Sequence, residues 1–511
     1  MTQTMLDRLQ LTATQKPNHV FSSFEGRKTT FSELWLHAKS IAAALKNFQL
    51  TETERVLYLG KNSDRLIEII YGCAAARNTC VVLNWRLTIS ELIEISQDAK
   101  SKIIFTDAEM LPMATKVAQD CGISQIIVID AKDQCAATGG IDYDSLLSDF
   151  EPMEPISSIT ADDDFLQLYT SGTTGRPKGV PQTHSMHLSQ LAQWESTLGP
   201  WPEDDCCLVF MPFFHAAGIT YPLFAINYGT QVEIHRGADI NQISESLLSG
   251  SVTTMVAVPT LLSIFATTFA PGQVTSLRTI HYGGSRVSPI VLKEAMRIFA
   301  CDFVQIYAAT ETTAALSILG PKDHHDQALA SSCGKPSSLA KIKVIDSNHN
   351  TLPPNEVGEI AIKSESVLKG YWCNEEASKA VLIDGWYHTG DLGKQDENGY
   401  LYIVDRLKDM IISGGENVYS AEVENVLAAH PAIFEHSVIG TPDSHFIELV
   451  TAIVVLRQGM TLTLEQLQEF ARMKLAGYKI PRKLVFVDAL PKNSLGKIQK
   501  QQLRKTIEAL V

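Results

Sequence analysis

The sequence has no Cys-x-x-Cys pair, although it carries nine cysteines in 511 residues. Their number is odd and they are scattered, with only Cys206 and Cys207 adjacent. This argues against a disulfide framework or a zinc site and predicts reduced thiols. An excess of basic charge is also missing. Lys and Arg total 43 against 57 Asp and Glu, a net charge of −14. That balance argues against general nucleic-acid binding, while leaving room for a local basic pocket. Residues Met1 to Arg8 form no apolar signal region, and Ile507 to Val511 is not a peroxisomal address. With the reduced thiols, this predicts a cytoplasmic protein. The stretch from Cys206 to Val232 lacks Asp, Glu, Lys and Arg, but Pro212, His215, Gly218 and Pro222 interrupt it. The expectation is a buried strand–loop–helix beside an apolar cavity, without stable membrane insertion. No internal repeat or low-complexity segment is present.

What is there is a globular composition, 45% hydrophobic and 20% charged, in a chain too long for one ordinary domain. The most informative segment is Leu168-Tyr-Thr-Ser-Gly-Thr-Thr-Gly-Arg-Pro-Lys-Gly179. Glycines let backbone N–H groups approach an oligophosphate, hydroxyls donate hydrogen bonds, and Lys178 supplies a point charge. The segment follows a short apolar strand, Asp164 to Tyr169. It is not a Walker loop, because Lys178 is followed by Gly179 and preceded by Pro177.

The first half alternates strand and helix patterns. Thr30-Phe-Ser-Glu33 reads as a capping box, and Leu34, Ala38, Ile41, Ala42 and Leu45 share one helical face. Strands are expected at 55–59, 80–83, 102–105 and 125–128, and helices at 63–76 and 90–99. This predicts an α/β fold with a largely parallel sheet covered by helices. After Pro336 short alternating strands, 340–345 and 358–362, indicate a β-rich subdomain. Beyond Asp405 the pattern is α+β, with helical faces at Val423, Val426 and Leu427 and at Leu464, Leu467 and Ala471.

The chain resembles the adenylate-forming superfamily, the acyl- and aryl-CoA synthetases with their luciferase and adenylation-domain relatives. The phosphate loop, Tyr307-Ala-Ala-Thr-Glu311, Tyr387-His-Thr-Gly-Asp391, Asp405-Arg-Leu-Lys-Asp409 and Pro491-Lys-Asn-Ser-Leu-Gly-Lys497 occur in the family's order. The resemblance implies a large N-terminal domain of layered sheets with helices over 1–404. Its β-rich subdomain spans about 337–404. A small mobile α+β lid follows over 405–511, hinged at Asp405. The implied reaction joins a carboxylic acid to ATP, releasing pyrophosphate and forming acyl-AMP; a thiol then displaces AMP. Two anions meet in the first step, so positive charge and a metal are needed.

By this resemblance Lys497 bridges carboxylate and phosphate. Thr170, Ser171, Gly172, Thr173, Thr174 and Lys178 surround the phosphates. Thr310 touches phosphate, and Glu311 with Thr173 holds Mg²⁺, a hard cation that takes oxygen ligands. The Tyr307 ring packs on adenine, with Gln305 on the same strand, and the Tyr282-Gly283-Gly284-Ser285 loop borders the base. Asp391 grips both ribose hydroxyls and Arg406 reaches ribose or phosphate. Ala308 stands where the family has glycine, which reshapes the acyl pocket.

Met211-Pro-Phe-Phe-His-Ala-Ala-Gly218 resembles the wall of that pocket, formed by Phe213, Phe214, His215 and Gly218 with Ala308 and Thr312. His215 stands at the carboxylate end. No aspartate is available there for an ammonium, and Ile306 replaces the arginine of malonate-activating relatives. The expected acid is an apolar monocarboxylate: aryl, medium-chain or branched. In Ile412-Ser413-Gly414-Gly415 the glycines would let a pantetheine arm pass. Phe446 and Tyr478 would stack on the CoA adenine, and Arg86 and Arg482 would meet its phosphates. Phe446-Ile447 departs from the Trp-Gly usual in relatives.

The expected enzyme is thus an AMP-forming acid–thiol ligase using ATP, Mg²⁺ and CoA. The alternative is a stand-alone adenylating enzyme that loads a carrier-protein pantetheine. A homodimer is compatible with either. A luciferase-like oxygenase has no residue in its favour, and a catalytically dead scaffold is at odds with intact Lys178, Glu311, Asp391, Arg406 and Lys497.

Overall fold

The computed structural model describes residues 4–130, 139–171, 177–285, 287–313, 315–443, 446–493 and 497–508. The chain forms two compact units. Unit 1 is Met1–Lys341 with Lys363–Tyr387, and unit 2 is Ile342–Ile362 with His388–Val511.

Unit 1 holds two sheets. The first has seven strands in the order Ile141–Asp142, Gln125–Ile129, Ile103–Asp107, Arg55–Leu59, Thr79–Val82, Asp164–Ser171 and Pro177–Thr183. Its neighbours are parallel except for the final hairpin. Helices Asp64–Ala75, Ile89–Ala99 and Leu111–Cys121 make crossovers between its strands. Strands Arg55–Leu59, Thr79–Val82 and Ile103–Asp107 are buried at every position, which is why each reads as a short apolar run with polar residues only at its ends. Thr30 and Glu33 form the expected capping box of helix Phe31–Asn47. Leu34, Ala38, Ile41, Ala42 and Leu45 on that helix are fully buried.

The second sheet has nine strands in the order Lys335–Pro336, Ala315–Leu319, Asp302–Ala308, Thr279–Gly283, Thr254–Ala257, Cys206–Val209, Gln231–Ile234, Val20–Phe24 and Arg27–Thr30. Its centre is parallel and its edges antiparallel. Strands Cys206–Val209, Thr279–Gly283 and Asp302–Ala308 therefore end at one edge of the sheet. From that edge leave the loops carrying Met211–Gly218, Gly283–Ser285 and Thr310–Thr312. Carboxyl edges of parallel strands are where α/β folds bind ligands. The uncharged stretch is a strand, the helix Ala216–Tyr228 and a return strand Gln231–Ile234. Among the described residues no helix is long and apolar enough to cross a membrane.

Unit 2 begins with strands of a five-stranded sheet. Its path is Lys341–Ile345, Gly358–Lys363, Trp386–Gln395 and Leu382–Ile383, with Leu401–Arg406 pairing on Trp386–Gln395. A second five-stranded sheet runs Glu416–Val418, Ile411–Ser413, Ile447–Leu456 and Ile433–Asp443, with Lys483–Phe486 parallel to Ile447–Leu456. Helices Ser420–Leu427 and Leu464–Arg472 pack on it through Val423, Leu427, Leu467 and Ala471, all fully buried. These are the faces the sequence pattern indicates. Asp405 and the whole segment C-terminal to it lie in unit 2 with strand Leu401–Arg406.

Candidate active site

The phosphate-loop segment straddles the hairpin of Asp164–Ser171 and Pro177–Thr183, with Thr170 opposite Lys178. Gly172, Thr173 and Thr174 lie outside the described residues, as does the Ser171 side chain. The base of the hairpin is fixed by residues the motif does not include. Arg55 is buried and donates from Nη2 to Asp164 Oδ2 at 2.5 Å and from Nε to Gln167 Oε1 at 3.2 Å. The Trp372 ring covers its guanidinium at 3.3 Å. Trp372 Nε1 and the Tyr169 hydroxyl donate to the Asp98 backbone and side chain, at 3.0 and 2.6 Å. Gly179 is required by this packing, because a Cβ there would lie 2.7 Å from Gln167 Nε2 and 3.0 Å from Trp372 Cβ.

Lys178 projects over the face of Tyr371, its Nζ 4.9 Å from the ring centroid. The hydroxyl of the same tyrosine donates to Glu311 Oε1 at 3.1 Å. The Thr310–Thr312 turn that carries Glu311 is held from several sides. Gln182 Nε2 donates to Thr310 O at 3.0 Å, the Leu368 N–H to Glu311 O at 2.7 Å, and the Ala309 N–H to Thr312 Oγ1 at 3.2 Å. Thr313 ends the turn at φ +65°, a left-handed conformation costly for a β-branched residue. Its hydroxyl donates to Ser366 O at 2.9 Å.

On the neighbouring strands, Tyr282 and Gln305 are register partners. The Tyr282 hydroxyl donates to Gln305 Oε1 at 3.2 Å and contacts His324 Nε2 at 3.0 Å. Gln305 Nε2 in turn faces Cys333 Sγ at 3.7 Å. The predicted nucleotide residue Gln305 thus joins the strand pair. Gly283 admits no side chain, because a Cβ would sit 2.3 Å from Ile306 O, and Gly284 has φ +82°. Ser285 and Ala308 are exposed, while Tyr307 is half-buried.

The acyl-wall segment is clamped by Asn62, another residue the sequence patterns miss. Asn62 Oδ1 accepts from the Phe213 N–H at 2.9 Å, and its Nδ2 donates to Met211 O at 2.9 Å. Gly218 lets the following helix start against this loop, since a Cβ would lie 2.3 Å from Pro212 O. Phe213 and Phe214 are buried. Phe214 packs on the His215 ring, with centroids 4.5 Å apart. Burial, and secondarily the charge of Arg86, push the His215 imidazole down to about 3. It is neutral at physiological pH, able to hydrogen-bond a carboxylate without adding charge. Arg86 lies over Trp85 at 4.7 Å and Phe214 at 6.0 Å, so it stands beside this wall in unit 1.

In unit 2, Asp391 and Arg406 are register partners on antiparallel strands. The Arg406 Nε lies 2.6 Å from Asp391 Oδ1. Asp405, next to it, accepts from Ser420 Oγ at 2.7 Å and from the Ala421 N–H at 3.2 Å, at the N-terminus of helix Ser420–Leu427. Lys497 joins the group. Its ammonium is held below the ordinary lysine range by desolvation and by the charge of Arg406, against the pull of Asp391 and Asp409. The residue keeps an exposed surface.

Unit 2 also holds the predicted CoA residues other than Arg86. Gly414 and Gly415 form a two-residue hairpin between Ile411–Ser413 and Glu416–Val418. Their φ values are +61° and +86°, as a primed turn requires. The Gly414 N–H donates to Phe446 O at 2.8 Å, and the Arg482 guanidinium lies 4.3 Å from the Phe446 ring centroid. Tyr478 is half-exposed on a turn packed against Glu416–Val418. Ser413 is buried at the start of the hairpin.

The model of the AMP-binding enzyme family matches residues 9–372, and that of the AMP-binding enzyme C-terminal domain matches 422–497. The chain is 35% identical to the fatty acid–[acyl-carrier-protein] ligase ScoC of Streptomyces coeruleorubidus, over 98% of this chain and 96% of that one. It is 34% identical to the 2-succinylbenzoate–CoA ligase of Bacillus velezensis, over 98% and 97%. Among solved structures it is similar to o-succinylbenzoate CoA synthetase (MenE) from Bacillus subtilis. With the acyl-adenylate OSB-AMP bound, that enzyme gives a TM-score of 0.86 at 31% identity, covering 97% of both chains. With ATP and magnesium ion bound it gives 0.84 at 30% identity, covering 98% of this chain and 99% of that one. The chain belongs to the AMP-binding enzyme family, the adenylate-forming superfamily of acid–thiol ligases.

Proposed function

We propose that the protein activates an apolar monocarboxylic acid with ATP and passes the acyl group to CoA. The observation that carries this reading is the pairing of Asp391 with Arg406 in unit 2, where the charge of both bears on Lys497. In the first step the acid carboxylate attacks the α-phosphorus of ATP and pyrophosphate leaves. Lys497 offsets the charge of the approaching anions, Asp391 holds the ribose, and Lys178 and Thr310 bear on the phosphates. In the second step the CoA sulfur attacks the acyl carbonyl and AMP leaves. The buried Phe213–Phe214 wall and neutral His215 favour an acid with one carboxylate at the His215 end. Aryl, medium-chain and branched acids fit this description.

Glu311 fits a metal delivered with its nucleotide. Its Oε1 is held by Tyr371, and among the described residues no hydrogen bond engages Oε2. The described residues contain no cluster of three His, Cys, Asp or Glu side chains that could hold a metal by themselves. A single carboxylate beside phosphates suits Mg²⁺, which keeps several waters and shares its shell with substrate oxygens. When bound, Mg²⁺ would neutralise phosphate charge.

The lid, residues 405–511, is proposed to hinge at Asp405. It presents Lys497 for adenylation and the Gly414–Gly415 hairpin, with Phe446, Tyr478 and Arg482, for thioester formation. The setting is proposed to be cytoplasmic. A carrier-protein acceptor is the second reading, motivated by the resemblance to ScoC.

The test is acid-dependent pyrophosphate release across benzoates, cinnamates, fatty acids of graded length, malonate and amino acids. It is run with CoA, with a holo carrier protein, and with neither. Fast turnover of an apolar acid only with CoA is the expected result. A single burst relieved by carrier protein alone would move the assignment to the second reading, and no release with any acid would overturn both.

A further inference from the structure

Tyr371 touches two oppositely charged groups at once. Its hydroxyl donates to Glu311 Oε1 at 3.1 Å, and the face of its ring receives Lys178 Nζ at 4.9 Å. The side chain is buried, in a cluster with Val180, Met186, Leu368 and Tyr387, and its N–H donates to Ser378 Oγ at 2.8 Å. Both the ring and its backbone are therefore fixed. Among the described residues no ion pair joins Lys178 to Glu311. Left alone, a lysine and a glutamate so placed would close on each other, and each would be lost to a ligand of the other's charge.

We infer that Tyr371 is a positioning residue that keeps Lys178 and Glu311 apart and aimed, the cation toward phosphate oxygens and the carboxylate toward the divalent ion that accompanies them. The role rests on the nucleotide-activating reading above. The ring supplies a cation–π seat for the ammonium, and the hydroxyl fixes one carboxylate oxygen and leaves the other free to coordinate. Both contacts spare the charges they touch, because neither partner of Tyr371 is neutralised.

The two contacts are separable by substitution. Tyr371→Phe keeps the ring and removes the hydroxyl; Tyr371→Leu removes both. Calorimetric titration of the full-length protein with ATP, with Mg²⁺ and with EDTA, reads them without turnover. Tyr371→Phe should weaken MgATP binding about tenfold to a hundredfold, the range for one charge-assisted hydrogen bond, while leaving metal-free ATP binding as in the parent. Tyr371→Leu should weaken both. In a Glu311→Gln background, Tyr371→Phe should have no further effect on MgATP binding. Parent-like MgATP binding by both Tyr371 variants, or additive losses with Glu311→Gln, would overturn the role. A parent protein that binds no nucleotide would overturn the functional reading itself.

Discussion

Arg406 and Asp391 face each other across an antiparallel strand pair, with Nε 2.6 Å from Oδ1. The carboxylate is buried and the guanidinium half-exposed, with 44% of its side chain open. The pair therefore acts less as a stabilising bridge than as an orienting one, since a half-exposed partner gains little net energy from the contact. Arg406→Ala should leave the thermal midpoint within a few degrees of the parent. It should lower kcat/KM for ATP about tenfold, about 1.4 kcal/mol of transition-state binding. Steady-state pyrophosphate assays and a thermal melt check the two halves of this expectation.

Lys497 and the Gly414 hairpin belong to one unit, and the proposed function assigns them to different half-reactions. Lys497→Ala should abolish acid-dependent pyrophosphate release and spare thioester formation from supplied acyl-AMP. Equal loss of both would count against the alternating lid. The charge of Arg406 also lowers the Lys497 pKa, so the alkaline limb of adenylation should begin below 10.5, the ordinary lysine value. Removing that charge raises the pKa. The limb should then move to higher pH in Arg406→Ala, which a pH–rate profile of the residual activity reads directly.

Ile447 opens its strand at φ +71° with 62% of its surface exposed. A β-branched residue in the left-handed region carries about 1–3 kcal/mol of strain. Ile447→Gly loses little packing and removes that strain, against the larger chain entropy of glycine. A net gain of about 0.5–1 kcal/mol in the denaturant stability of unit 2 is expected. The opposite change at the adjacent turn, Gly415→Ala, meets no atom within 4 Å but must adopt φ +86°. It should cost about 1 kcal/mol.

Four histidines of unit 1 are pushed down chiefly by burial, His184 to about 4 and His187, His215 and His281 to about 3. The folded values lie below the unfolded one of 6.5, so the unfolded chain takes up protons first on acidification. Stability should be fully present above pH 6.5 and fall as pH drops toward 4 and 3. Each group contributes about 1.4 kcal/mol per pH unit. Urea midpoints at pH 7.5 and 5.5 should differ strongly, and His187→Gln should reduce the difference. Equal midpoints at the two values would refute the assignment.

The strands and helices of unit 1 were legible because full burial leaves apolar runs and capping boxes leave Thr-x-x-Glu, as at Thr30 and Glu33. The site motifs were legible because glycine is forced where a Cβ would strike backbone, as at Gly218 and Gly283. Tyr371, Asn62, Arg55 and Trp372 were not legible. Tyr371 meets Glu311 from 60 positions away, and Asn62 meets Phe213 from 151. Contacts at such separations follow from the fold and leave no periodicity in the sequence. The placing of Arg86 beside Phe214 was equally closed, because an arginine in a loop has no face to declare.

The chain passes from one unit to the other three times, after Lys341, after Ile362 and after Tyr387, each time within a strand. Neither unit is therefore one uninterrupted stretch of polypeptide. A nascent chain leaving the ribosome cannot complete unit 1 until Tyr387 has been made, by which point part of unit 2 is already waiting. Limited proteolysis or simple truncation should yield no intact half, and recombination between relatives should succeed at paired or tripled breakpoints rather than at one.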